Sequence, residues 1–282
     1  MISMQFGKFE IHPIYDGYFA LDGGAMFGVV PKIFWEKTNP ADERNRISLA
    51  LRTVLVKTEK ELILIDTGIG DKFNHKFKEI YRVDKSYTID ESLKKVGLAP
   101  SDINFVINTH LHFDHCGGNT KIDESGQVAP RFSNAKYFIQ QDEWEYALKP
   151  DVRSKASYID DNYKPLAKYG NLNLTNGDWE VVKGIEVIKT AGHTPGHQIV
   201  LIKSAGKTAV YWGDLIPTAS HLNVPYVMGY DLFPLTTMDW KEKLLKQALD
   251  QNWLMLFEHD PKIGFSRLVQ EQGRWVSQPV KE

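Results

Sequence analysis

Cysteine is almost missing from this chain. Only Cys116 occurs among its 282 residues, so no disulfide can form within it. No apolar run approaches the ~18 residues needed to span a bilayer. The opening residues Met1–Glu10 lack an apolar core and a small-residue cleavage site, so no secretory leader is visible and a cytoplasmic location is expected. An excess of charge of one sign is absent too. Lys and Arg number 34 against 36 Asp and Glu, a net charge of −2. Nucleic-acid-tracking surfaces are usually strongly basic, so neither nucleic acid nor membrane is expected as a partner. Lys149, Arg153 and Lys155 read as a solvated face. There is no internal repeat, no G-x-S-x-G elbow and no Cys/His pair that would supply a protein nucleophile.

What is present is ordinary for a soluble globular protein, at 42% hydrophobic and 25% charged residues. The length suffices for a sizeable core, and residues 1–282 are read as a single domain. The informative feature is local. Of nine histidines, three fall within T-H-L-H-F-D-H, Thr109–His115, with Asp114 among them. Neutral imidazole and carboxylate are preferred ligands of zinc and similar divalent ions, and such crowding is hard to satisfy by packing alone.

Three further motifs follow: A-G-H-T-P-G-H at Ala191–His197, W-G-D at Trp212–Asp214 and F-E-H-D-P at Phe257–Pro261. Each borders an apolar, β-branched run, so each reads as a loop at a strand end, where rigid scaffolds place functional side chains. They add His193, Asp214 and His259 to His110, His112, Asp114 and His115. Seven ligands exceed the needs of one tetrahedral zinc. They suit two divalent ions, expected to be zinc, that share one carboxylate.

The series H-x-H-x-D-H, G-H, G-D, H resembles the metallo-β-lactamase superfamily, from I-D-T-G at Ile65–Gly68 through His259. Within it, H-L-H-F-D-H-C-G-G-N, G-H-T-P-G-H and G-D-L-I-P are most similar to the N-acyl homoserine lactonase and methyl parathion hydrolase branch. The resemblance implies an α/β fold, an αβ/βα four-layer sandwich of two packed mixed β-sheets with helices outside. It also implies that His110, His112 and His193 hold one metal, Asp114, His115 and His259 the other, and that Asp214 bridges. Asp66 would be a carboxylate orienting the His cluster. Lactonases of this branch usually carry a tyrosine three residues after the bridging Asp, but here Pro217 stands there. His221 or Tyr226 is expected to steady the substrate carbonyl instead.

Strands are expected over Lys8–Tyr15, Arg52–Thr58, Glu61–Asp66, Asp102–Asn108 and Lys136–Ile139. In the second half they are expected over Trp179–Val182, Ile185–Lys189, Gln198–Lys203, Thr208–Trp212 and Trp253–Phe257, with a last hairpin, Phe265–Gln270 and Arg274–Ser277. Helices are expected over Ile89–Val96, Gln141–Leu148, Tyr158–Tyr169 and Met238–Leu249. Gly23–Trp35 and Val224–Pro234 read as apolar loops. They would form a substrate pocket, a protein interface, or both where the partner of a homodimer walls the pocket. His197 is expected to support a neighbour rather than bind metal, Cys116 to be a buried small hydrophobe, and His12 and His75 to be structural or exposed.

The expected chemistry is hydrolysis by a metal-bridging hydroxide attacking a lactone or other ester with a hydrophobic group, with Asp114 shuttling the proton to the leaving group. Thioester hydrolysis similar to glyoxalase II, and phosphotriester hydrolysis, are alternatives on the same residues. Readings of a different class are a mononuclear iron dioxygenase and a non-catalytic metal-binding scaffold.

Overall fold

Residues 3–280 are described by a computed structural model. The first half runs β1 (Met4–Phe6), β2 (Phe9–Asp22), β3 (Arg46–Lys57), β4 (Leu62–Ile65) and β5 (Phe105–Ile107). A two-stranded pair, β6 (Thr120–Ile122) and β7 (Val128–Pro130), precedes β8 (Lys136–Gln140) and β9 (Leu172–Thr175). The second half runs β10 (Trp179–Val182), β11 (Ile185–Lys189), β12 (Gln198–Ser204), β13 (Lys207–Tyr211), β14 (Leu254–Leu256), β15 (Phe265–Glu271) and β16 (Arg274–Pro279). These make two seven-stranded sheets, β1-β2-β3-β4-β5-β8-β9 and β10 through β16 in order. Both sheets are mixed. Pairing is parallel from β4 to β9 and between β13 and β14, and antiparallel elsewhere.

Side chains alternate across a strand with period two, and the layers follow from that. In β11–β13, Val187, Val200, Ile202, Ala209 and Tyr211 face the first sheet. There they meet Ile11, Val54, Val56, Ile63 and Ile65 in one shared core. The intervening Ile199, Leu201 and Val210 face outward and are covered by Leu244, Leu245 and Ala248 of the helix Pro234–Asp250. The outer face of the first sheet is covered likewise, with Leu93 of the helix Ile89–Lys95 and Ala147 of the helix Gln141–Leu148 in one cluster with Leu55, Leu64 and Val106. Burying each such aliphatic side chain is worth ~1.5–3 kcal/mol. The result is the four-layer αβ/βα sandwich. No helix among the described residues is long and apolar enough to cross a membrane.

Several local expectations need correction. Tyr158–Tyr169 is not one helix. It breaks into a 3₁₀ turn at Asp160–Asn162 and a short helix, Lys164–Lys168, and another 3₁₀ turn, Lys155–Ser157, precedes it. Pro165 lacks an N–H and is tolerated only in that helix's first turn, so the helix cannot extend backward through it. Gly23–Trp35 is not loop throughout. It carries the short helices Gly23–Phe27 and Lys32–Trp35, which bury Met26, Phe27 and Trp35 while leaving Val29, Ile33 and Phe34 exposed. The helix expected from Met238 starts at Pro234, whose fixed φ suits a first helical turn.

That helix also carries a buried amine. Lys241 is fully buried, and its Nζ donates to the carbonyls of Asn223 (2.9 Å) and Tyr226 (2.7 Å), anchoring the loop ahead of the helix. Burial pushes its pKa down to about 7 against the opposing pull of Asp231. An unfolded lysine holds its proton up to ~10.4. Between these values the unfolded chain therefore binds more protons, and stability rises with pH; below about 7 the cost of the buried charge is fully present. The stability of the wild type relative to Lys241→Met, measured by urea unfolding, should accordingly grow by on the order of 3 kcal/mol between neutral pH and about pH 10. A difference that stays flat with pH would show that Lys241 does not lose its proton in the folded chain.

Candidate metal centre

The topology gathers the four motifs at one edge. His110 follows β5, His193 follows β11, Asp214 follows β13 and His259 follows β14. Because β13 and β14 are parallel, and β11 is antiparallel to β12, which is antiparallel to β13, the three loops of the second sheet leave on the same side. Asp66 leaves β4, parallel to β5, at the matching edge of the first sheet. Close approach between these loops demands glycine. A Cβ on Gly117 would sit 2.1 Å from the carbonyl of Ile69, and one on Gly118 2.2 Å from that of Thr67. His112 caps a four-residue helix, Phe113–Cys116. On that helix Asp114 and His115 fall in a different group from His110 and His112.

All seven expected ligands are brought together in two groups. His110, His112, His193 and Asp214 form one, and Asp114, His115 and His259 the other. Asp214 lies between them. Its Oδ2 is 3.1 Å from His193 Nε2 and 3.9 Å from His110 Nε2, while its Oδ1 is 3.3 Å from His259 Nε2 and 3.4 Å from His115 Nε2. Ring nitrogens face each other at 3.1 Å between His193 and His112 and at 3.0 Å between His259 and His115. Ligands ~2 Å from a tetrahedral metal stand ~3.3 Å apart, so these separations fit a cation in each group. Buried His110 Nε2 and Asp214 Oδ1 have no hydrogen-bond partner among the described residues. Orphaned buried donors and acceptors are costly, and a metal would satisfy both.

The electrostatics agree. Burial, reinforced by neighbouring imidazoles, holds His110 and His112 well below the usual histidine range, so their lone pairs are free. Burial also opposes charge on His259, but Asp214 and Glu258 outweigh it and raise its pKa to about 9. His115 is pushed up in the same way by Glu258, Asp214 and Asp114. The carboxylates thus call for positive charge at this point.

Carboxylates outside the two groups orient the imidazoles. Asp66 accepts from Thr109 N and Thr109 Oγ1, both at 2.7 Å, and lies 3.2 Å from His115 Nδ1. Glu258 Oε2 is 2.8 Å from the same nitrogen. Asp231 Oδ1 is 2.8 Å from His193 Nδ1. Partners of this kind fix the tautomer of a ligating histidine. Glu258 lay inside the F-E-H-D-P motif without an assigned role. Asp231 gave no signal, since it is 38 residues from His193 and meets it only in the fold. His197 supports its neighbours as expected, its Nε2 accepting from Asp214 N at 3.0 Å while Nδ1 meets Thr190 Oγ1 at 2.7 Å. Cys116 is buried and its thiol pushed up by burial. His75 is exposed and His12 lies beside Glu10.

The assignment of His221 to the substrate needs correction. Its Nε2 faces the carbonyl of Met26 (2.8 Å), its Nδ1 faces Thr218 Oγ1 (2.7 Å), and its ring stacks on Phe27 at 4.4 Å. Both nitrogens are committed, and none is left for a substrate. Tyr226 lines a separate groove with Phe34 and Trp275. The narrow cleft over the metal groups, about 60 Å³, is lined by Leu21, Met26, Phe113 and Met228, with Tyr81 and Tyr230 as its tyrosines.

This geometry has known counterparts. The metallo-beta-lactamase superfamily profile matches residues 52–259. An N-acyl homoserine lactonase of Bacillus thuringiensis is 32% identical over 230 residues, 76% of this chain and 82% of that one. This chain belongs to the metallo-beta-lactamase superfamily. Together with its lactonase relatives, this membership makes it a metal-dependent hydrolase. Among solved structures, a probable metal-dependent hydrolase from Staphylococcus aureus matches with TM-score 0.91 and 36% identity, covering 99% of both chains. An N-acyl homoserine lactone hydrolase, solved with N-hexanoyl-L-homoserine at its catalytic metal centre, matches with TM-score 0.70 and 25% identity, covering 92% of this chain and 95% of that one.

His221→Ala should therefore act on stability. Loss of the stacked ring and both hydrogen bonds is expected to cost ~2–4 kcal/mol in chemical unfolding, with the metal content of the folded protein unchanged. A variant of full stability and much lower kcat would restore His221 to the substrate.

Proposed function

We propose that the chain, acting as one hydrolase domain, holds two zinc ions and hydrolyses a lactone or related ester with a hydrophobic acyl group. The observation that carries this reading is Asp214, whose two oxygens face different ligand groups. His110, His112 and His193 would hold one ion, and Asp114, His115 and His259 the other. When bound, the pair supplies Lewis acidity and a water acidic enough to act as nucleophile near neutral pH. Asp114 reaches into the cleft, where it can accept a proton and return it to the leaving oxygen. Leu21, Met26, Phe113 and Met228 exclude water and receive the acyl group. The mononuclear dioxygenase reading gains no support from a second group as complete as Asp114, His115 and His259. The lactonase relative at 32% identity supports a lactone.

The metal-replete protein should hydrolyse N-acyl homoserine lactones, with kcat/KM rising about fourfold per methylene over a short acyl series, since each buried methylene is worth ~0.8 kcal/mol. Asp214→Ala should hold fewer than two zinc ions and lose turnover. Hydrolysis confined to thioesters or phosphotriesters, or a single iron per chain, would overturn the proposal.

Tyr230 takes the place left by Pro217 and His221. It is exposed at the cleft wall, and a tyrosine hydroxyl keeps its proton at neutral pH and can donate to a substrate oxygen. Tyr230→Phe should lower kcat at least about tenfold, within the range for loss of one such donor, with both metals retained. Equal kcat for Tyr230→Phe and wild type would remove Tyr230 from the reaction.

A further inference from the structure

Glu143 sits on the helix Gln141–Leu148 and is fully buried. Four donors converge on its carboxylate. Oε1 accepts from Leu111 N and Tyr158 Oη, both at 2.9 Å. Oε2 accepts from Thr194 Oγ1 at 2.5 Å and Gly196 N at 3.3 Å. Leu111 lies between His110 and His112, and Thr194 directly follows His193. One side chain therefore ties together the two loops that supply all three histidines of the first metal group. Gly196 is needed for this, because a Cβ there would come within 2.3 Å of Glu143 N. Tyr158 adds a second contact, its ring standing edge-on to His112 at 4.9 Å. No lysine or arginine pairs with this carboxylate among the described residues. Burying a carboxylate without such a partner is costly, and the cost is offset here by donors from the ligand loops themselves.

The second metal group is held differently, by Asp66 and Glu258 at His115. We infer that Glu143 is a positioning residue that sets the spacing of His112 and His193, and through it the affinity of one metal site in particular. This rests on the two-metal reading above. Glu143 touches neither ion nor substrate. Its loss should loosen the ion held by His110, His112 and His193 and leave the one held by Asp114, His115 and His259.

The test is a competitive chelator titration of purified protein loaded with two zinc ions, repeated with Co²⁺ so that its absorption bands report each site. Glu143→Gln and Glu143→Leu are compared with Tyr158→Phe and Thr194→Val, each of which removes a single donor. In the Glu143 variants one equivalent of metal should bind ~10–100-fold more weakly with altered Co²⁺ bands, while the other equivalent is unchanged. Tyr158→Phe and Thr194→Val should show smaller losses at the same equivalent. At saturating metal, Glu143→Gln should recover more activity than Glu143→Leu. If Glu143→Leu does not fold, the other three variants decide. Unchanged affinities, or both sites weakened equally along with the melting temperature, would overturn the inference. A wild-type chain holding fewer than two ions would instead overturn the two-metal reading on which it rests.

Discussion

A single carboxylate, Asp214, carries the organisation of this molecule. It stands between two groups of imidazoles whose nitrogens approach one another to 3.0–3.1 Å. Such pairs cannot coexist comfortably as a dry protein core, since two neutral imidazoles share at most one proton productively and two charged ones repel. Cations at that point would satisfy the lone pairs of the histidines and the charge of the carboxylates together. Metal binding and the final shape of this edge are therefore one problem, in the sense that ligation energy is also folding energy.

The rest of the architecture serves that edge. Two sheets packed through an apolar interior give a rigid frame, and the ligand loops leave the ends of strands that run in the same direction. Strand ends alone do not fix an imidazole ring. Two rings are held by buried carboxylates, His115 by Asp66 and Glu258 and His193 by Asp231, while His259 Nδ1 faces the carbonyl of Ala50 and His110 Nδ1 the hydroxyl of Thr109. The backbone at Asp66 has a positive φ of 56°, uncommon for a residue other than glycine although aspartate is among those that adopt it. Strain of this kind persists where surrounding bonds over-determine it, and here Asp66 is bonded to both the backbone and side chain of Thr109.

The cleft above the two candidate metal groups is narrow, with Leu21, Met26, Phe113 and Met228 lining it and two tyrosines at its wall. Met228 and Tyr230 belong to the loop whose upstream end is held by the buried Lys241. That loop also delivers Asp231 to His193. One short segment thus supplies part of the cleft wall and the carboxylate that meets His193, and a change in its path would be felt by both.

The residues that converge in the two candidate metal groups, the sheet-dominated α/β class and most strands were legible in the sequence, because each is a local signal. Histidines crowded within six positions, β-branched runs and glycine turns all act over a few residues. Gln141–Leu148, Trp179–Val182 and Ile185–Lys189 fall where periodicity and turn residues place them. The broken helix after Tyr158 and the short helices in Gly23–Trp35 were not legible, since tertiary packing decided them over segments with weak local preference. His221 shows the limit most clearly. Its position after Asp214 suggested a substrate contact, but Met26 and Phe27, nearly 200 residues away in sequence, occupy both its nitrogen and its face. Asp231 and Glu143 carried no local signal for the contacts they make, whereas Tyr230 falls in the apolar segment Val224–Pro234 read as a candidate pocket. A ligand motif is written in consecutive residues because the metal requires a fixed local geometry. The side chains that aim those ligands and meet the substrate are chosen by proximity in three dimensions, and only the folded chain supplies that.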